Sequence, residues 1–278
     1  MIPNLLSDIT KCTNFCNLIT NSNCASSCND IVDSQRYQGA NEKKDFQLPE
    51  PWTGDIINAP ILILSSNPGY SGDELYPNFT WPAPMVADFF INRFQNRGSK
   101  YSWVYENKVL KKDGKRGISV RYWTSIKKRV EELLLSPAIP GIHYCITEIV
   151  HCKSLSEKGV KKALPECSNS FLENKIRISG AKIIIGIGDF VRKYFNEESS
   201  IDGIPITYLP HPNAFKPKTF YKTHTEENIK RIRKILSNEH NVLSDIDYSD
   251  MSLPSEEEVK LFIDSQITTH NRGTVLKS

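Results

Sequence analysis

The sequence contains no apolar run approaching the ~18 residues that a membrane-spanning helix needs, so the chain is expected to be soluble. The N-terminus, Met1 to Asp8, lacks a basic stretch followed by a long apolar segment. No secretory signal is therefore expected, and a cytoplasmic location with reduced thiols follows. Charge of either sign is scarcely in excess: the net +3 is too small to imply a partner. A third glycine is missing after Gly186-Ile187-Gly188, which excludes the dinucleotide fingerprint that opens this way. The cysteines number seven, and an odd count argues against a complete disulfide framework.

What is present fits one large α/β domain with extensions. The chain has 278 residues, 39% of them hydrophobic and 24% charged, as in ordinary globular proteins. Residues 1–50 form a Cys-rich N-terminal segment, 51–238 the main domain and 239–278 a C-terminal extension. Ile61-Leu-Ile-Leu64 is a short apolar run of the kind that makes a strand buried on both faces, and it stops at Ser65-Ser66-Asn67-Pro68-Gly69. Tyr144 to Val150, Ala181 to Gly186 and Ile204 to Leu209 read as three more strands. Helices are predicted at Trp81 to Asn96, Tyr122 to Leu135, Cys167 to Ser179, Asp189 to Phe195 and Thr225 to Ser237. A last helix opens at Ser255, with Glu258 completing a capping box. Alternating strands and helices predict a three-layer α/β/α fold around a central, mainly parallel four-stranded sheet.

In such a sheet the carboxyl ends of the strands share one edge, where ligands bind. Three polar segments would converge there: Ser66-Asn67-Pro68-Gly69, Glu148 to His151, and Pro210-His211-Pro212-Asn213. Basic clusters at Lys111, Lys112, Lys115, Arg116 and Arg121, and at Lys216, Lys218 and Lys222, flank this edge and favour a polyanion partner. Four of the seven cysteines, Cys12, Cys16, Cys24 and Cys28, lie in the first 50 residues as two pairs with three residues between partners. On a helix each pair would share a face. Clustered cysteines in a cytosolic chain point to a metal or iron–sulfur centre.

These residues together resemble the uracil-DNA glycosylase superfamily. Asn67-Pro68-Gly69 after a buried strand resembles its first active-site motif, and Pro210-His211-Pro212-Asn213 its His-Pro-Ser motif, with Asn in place of Ser. Ile146 to Ser154, then Cys167, Phe171-Leu172 and Ala181 to Gly188, follow the order of the iron–sulfur uracil-DNA glycosylases, with fourteen residues between Cys152 and Cys167. The resemblance spans residues 24–215. It implies a 4Fe-4S cluster held by Cys24, Cys28, Cys152 and Cys167, with Cys12 and Cys16 as the competing N-terminal pair and zinc as the alternative to the cluster.

The resemblance further implies a monofunctional DNA glycosylase acting on DNA, and the chain is expected to be a monomer: Asn67 orients water, and His211 donates a hydrogen bond to the departing base. Ser66, Gly69 and Asn213 would line the pocket. Phe79, or alternatively Tyr70, would stack on the flipped base. Phe215 would act as a wedge, with Lys216, Lys218, Lys112 and Lys115 on phosphates. One departure matters for the substrate. Where the family carries an Asn that reads uracil, this chain has Glu148. An ionised carboxylate only accepts, which suits the amine of cytosine; a protonated one could also donate to cytosine N3. A modified cytosine, such as a phage hypermodified base, is the expected substrate, and antiviral defence the expected setting. Uracil excision in repair and a non-catalytic nucleic-acid-binding module are the alternatives, with an iron–sulfur interaction protein a third.

Overall fold

The structure is a computed structural model that describes residues 2–21, 24–215, 218–238, 248 and 251–275. Among them no helix is long and apolar enough to cross a membrane. The chain opens with three helices, α1 (Ile2–Thr10), α2 (Thr13–Thr20) and α3 (Asn29–Arg36), and then enters the central sheet through β1 (Ile61–Ser65). There follow α4 (Ala83–Ile91), α5 (Gly98–Tyr101), the short strands β2 (Val104–Tyr105), β3 (Lys108–Leu110) and β4 (Arg116–Ser119), and α6 (Arg121–Leu134). Next come β5 (Cys145–Glu148), α7 (Val160–Ile178), β6 (Ile183–Ile187), α8 (Asp189–Tyr194), β7 (Ser200–Ile201) and β8 (Ile204–Leu209). The short α9 (Phe220–Thr223), then α10 (Glu226–Ser237) and α11 (Glu256–Val275), complete it.

The sheet order is β5-β1-β6-β8-β7. The four predicted strands are its parallel core, and β7, two residues long and antiparallel to β8, adds a fifth. β1 and β6 are buried along their whole length, which is why both read as unbroken apolar runs. Alternate residues serve opposite layers. Ile61, Ile63, Ile183, Ile185 and Ile187 pack with Ile126 and Val130 of α6 and Ile229 and Ile232 of α10. Leu62, Leu64 and Ile184 join the larger core formed with α1, α3, α4 and α7. The result is a mixed α/β protein with helices on both faces of a mainly parallel sheet.

Local departures from expectation have identifiable causes. α4 ends at Ile91, short of the predicted Asn96, and Arg93 then turns inward, 2% exposed, to meet two buried carboxylates. α7 starts seven residues before the predicted Cys167 and carries Pro165 inside it. Its first turn buries Val160 and Ala163, and Gly159 (φ 81°) comes so close to α3 that a Cβ there would stand 2.3 Å from the Ile31 nitrogen. Tertiary packing outweighs the one backbone hydrogen bond that the proline removes. The basic stretch from Lys108 to Arg121 folds into the antiparallel sheet β2-β3-β4, whose first turn places Glu106 (φ 49°) and Asn107 (φ 61°) in the left-handed region of a hairpin. The capping box at α11 forms: Ser255 N–H donates to Glu258 Oε2 at 2.8 Å, and Glu258 N–H to Ser255 Oγ at 3.3 Å.

Candidate active site

The strand ends come together as the parallel topology requires. Ser65 and Glu148 are register partners, and pairing runs on past both strands, Ile149 N–H to Ser65 O and Val150 N–H to Ser66 O, each 2.9 Å. Asn67 sits just beyond. Its Nδ2 donates to Pro68 O and to Ser154 Oγ, both at 3.0 Å, and lies 3.5 Å from Cys152 O. The amide nitrogen is thus directed into the protein, and Oδ1 is left without those partners. Gly69 pairs with Ser154, and Tyr70 N–H donates to Ser154 O at 3.2 Å, so the Asn-Pro-Gly loop is tied to the segment that follows β5.

His211 follows β8, and its Cβ would lie 3.5 Å from a Cβ on Gly188 at the end of β6. The Asn213 N–H donates to His211 Nδ1 at 3.2 Å, which places the proton of the neutral ring on Nε2. Burial lowers the His211 pKa; Glu157 opposes this and Lys218 adds to it. The ring stacks on Tyr122 at 5.8 Å between centroids, and the Tyr122 hydroxyl bonds Ser65 Oγ. Ser66, buried beneath, donates through Oγ to Glu157 Oε1 at 2.6 Å.

Glu148 is 4% exposed, and its Oε2 has no hydrogen-bond partner. Burial, reinforced by the negative charge of Glu50, pushes its pKa up to about 8 against the pull of Lys175, Arg93 and Lys153. Lys175, fully buried, directs its ammonium to Thr147 Oγ1 (2.9 Å) and to the main-chain oxygen of Glu148, and burial lowers its pKa to about 8. At neutral pH Glu148 is therefore a neutral acid with one donor and one acceptor. A neutral carboxyl complements the N3 and N4 groups of cytosine, and by exchanging donor and acceptor those of uracil too.

Beneath Glu148 lies a buried ionic cluster that single charges scattered along the chain do not announce. Arg93 bridges Glu50 (3.1 Å) and Glu74 (2.6 Å); Lys153 stands 3.5 Å from Glu74 and 3.8 Å from Glu50; Tyr76 OH donates to Glu50 at 2.8 Å. Burial alone would raise the Glu50 pKa, but Arg93 and Lys153 hold it down to about 2.

Other expected residues fall elsewhere. Phe79 stacks on Phe15 of α2 (5.9 Å, 11° between planes) and lines an apolar cavity of about 340 Å³ with Leu6, Trp81 and Met251. That cavity contains none of Asn67, Glu148 or His211 in its walls, so a base held by those residues does not meet Phe79 there. Tyr70 is half-buried on the Asn-Pro-Gly loop. Phe215 is fully exposed, Lys218 folds back to Pro212 O, and Lys216 lies outside the described residues. Lys112 and Lys115 occupy the turn between β3 and β4, with Lys115 3.4 Å from Asp113. Tyr122, Glu157 and Lys175 were missed. Tyr122 opens a helix whose pattern shows only its packed face, and Glu157 lies in a loop without periodicity.

All seven cysteines are free thiols. Cys12, Cys28, Cys152 and Cys167 line one small cavity, together with His151 and Phe171. Cys24 is not among them, so the cavity takes one cysteine from each N-terminal pair. Cys12 and Cys28 stand at the N-caps of α2 and α3, whereas Cys24 lies in the connection between those helices. Burial pushes the Cys152 thiol well up, and Cys167, Cys12, Cys28 and Cys16 add to the effect. His151 Nδ1 is bonded to Glu50 O at 2.8 Å, while its buried Nε2 has no partner. Soft sulfur donors with an imidazole suit iron–sulfur or zinc chemistry, although among the described residues no group of three or more His, Cys, Asp or Glu is arranged to hold a metal ion. Compared with known proteins, the chain matches no family model and no curated sequence.

Proposed function

We propose that the protein is a monofunctional DNA glycosylase of the uracil-DNA glycosylase type, which flips a modified pyrimidine into the crevice at the sheet edge and hydrolyses its N-glycosidic bond. The observation that carries this reading is the orientation of two side chains: Asn67, whose amide nitrogen is pinned inward with Oδ1 left to orient water, and His211, whose Nε2–H is a donor. The C1′–N bond breaks with its electron pair going to the base, so a donor at the base is what the reaction requires. One such donor contributes on the order of 3 kcal/mol, so H211A should slow base release by two or more orders of magnitude. An unchanged rate would remove His211 from the mechanism.

Glu148, at the floor between Ser65 and Lys175, is the group that reads the base edge. A cytosine derivative is the first candidate: the neutral acid donates to N3 and accepts from N4. Uracil is the second reading, favoured by the same neutral state. Base release from duplexes carrying uracil, cytosine or 5-hydroxymethylcytosine separates them; release of uracil alone contradicts the cytosine assignment.

Cys12, Cys28, Cys152 and Cys167 would hold a 4Fe-4S cluster, or zinc in its place. Bound there, the group would supply structural cross-linking rather than bond-breaking chemistry, joining α2 and α3 to the segment after β5 and to α7. DNA is the partner, and Phe215 with Lys218, Lys112 and Lys115 would meet it. A chain that binds DNA but releases no base from any of these substrates would instead be a binding module.

A further inference from the structure

We infer that Glu157 is the proton acceptor for the attacking water, an assignment that rests on the glycosylase reading. As the water oxygen bonds to C1′, the C1′–N bond gives its electron pair to the base, and the water must lose a proton. Asn67 can orient the water but has no basic atom to take that proton.

The other groups at the crevice are already committed. His211 accepts from Asn213 at Nδ1 and carries its proton at Nε2, so neither nitrogen is a free base. Glu148 already holds a proton at neutral pH. The Tyr122 hydroxyl is bonded to Ser65. Glu157 remains: an exposed carboxylate with Oε1 on Ser66, the residue before Asn67, and with its charge felt at His211. Its loop also contributes Ser154, the partner of Asn67 Nδ2, so one segment positions both the water-orienting amide and the carboxylate. Glu157 sits in the left-handed region (φ 56°) after Ser156 (φ 53°), and Gly159 (φ 81°) anchors the loop against α3. The proton taken by Glu157 then passes to solvent, and the products are the free base and an abasic hemiacetal.

The test is single-turnover abasic-site formation on the uracil and 5-hydroxymethylcytosine duplexes by the wild type, E157Q, E157A and N67A, with duplex binding measured by fluorescence anisotropy. General-base removal costs roughly a hundredfold or more. E157Q should lose that much rate at unchanged affinity, and added formate should restore part of the E157A rate without affecting N67A. A purely structural carboxylate would show no formate rescue. The assignment is overturned if E157Q keeps the wild-type rate within a few fold while N67A is inactive, or if its loss is matched by weaker binding, or if formate restores nothing; in each case the glycosylase reading stands. If the wild type releases no base from either duplex, nor from cytosine or other 5-substituted cytosine duplexes, that reading falls and takes the assignment with it.

Discussion

The ring of His211 lies over that of Tyr122, 5.8 Å between centroids with 30° between planes, and Tyr122 is in turn tied to Ser65 at the end of β1. His211 is thus set against the end of the strand that leads into Asn67. An aromatic pair contributes about 1 kcal/mol beyond its burial. Replacing Tyr122 by Leu should slow base release by about fivefold to tenfold, with little change in DNA affinity, whereas Y122F keeps the ring and most of the rate. A loss in affinity alone, measured by anisotropy, would assign Tyr122 to DNA contact instead.

Glu148 predicts a pH dependence with a definite sign. Its folded pKa of about 8 lies above its ordinary value of 4.5, so the folded state binds more protons between those limits. Stability therefore falls as pH rises from about 4.5 to about 8. Lys175 is lowered from 10.5 to about 8, so its contribution runs the other way, with stability rising from about 8 to 10.5. E148Q, neutral at every pH, should flatten the lower slope and raise stability at pH 7 by on the order of 1–3 kcal/mol. Base release by the wild type should decline above pH 8 as the donor ionises. Denaturant melts across pH, beside rate profiles for both proteins, check the two together.

The buried cluster predicts acid sensitivity. Glu50 is held down to about 2, below its ordinary 4.5, so the stability it contributes is present above about 4.5 and is lost as pH falls toward 2. R93M removes one cation and leaves Lys153 alone with Glu50 and Glu74; breaking a buried pair in this way costs about 3–5 kcal/mol. A thermal melt of R93M that matches the wild type contradicts the pairing.

The thiols predict a ligand set. C12S, C28S, C152S and C167S should each lower bound iron or zinc in anaerobically purified protein, and C24S should leave it unchanged. Elemental analysis with visible-region spectra reads this out. Full metal loss in C24S, with none in C12S, would restore the Cys24–Cys28 pairing; no metal in the wild type would leave a cluster of buried thiols.

The centre of the sheet was legible because β1 and β6 are apolar on both faces, as Ile61 to Leu64 and Ile183 to Ile187 show. The meeting of Asn67, Glu148 and His211 at one sheet edge was legible because each lies at or just beyond the carboxyl end of a predicted strand. The β2-β3-β4 sheet was not, because strands of two to four residues carry no usable alternation. The packing of Phe79 on Phe15 was not legible, because sequence spacing from Gly69 says nothing of the direction of its side chain. Cys12 and Cys28 were not paired because their meeting depends on how α2 and α3 fold over α7. The raised pKa of Glu148 could not be read because it depends first on burial and then on Glu50, 98 residues away in sequence.

The most direct test of the account is abasic-site formation by the wild type and N67A on one panel of uracil, cytosine and 5-substituted cytosine duplexes, with binding measured on the same DNA. The account predicts base release by the wild type from at least one pyrimidine duplex and its abolition in N67A at unchanged affinity. Release that survives in N67A, or binding by the wild type without release from any duplex, would contradict it.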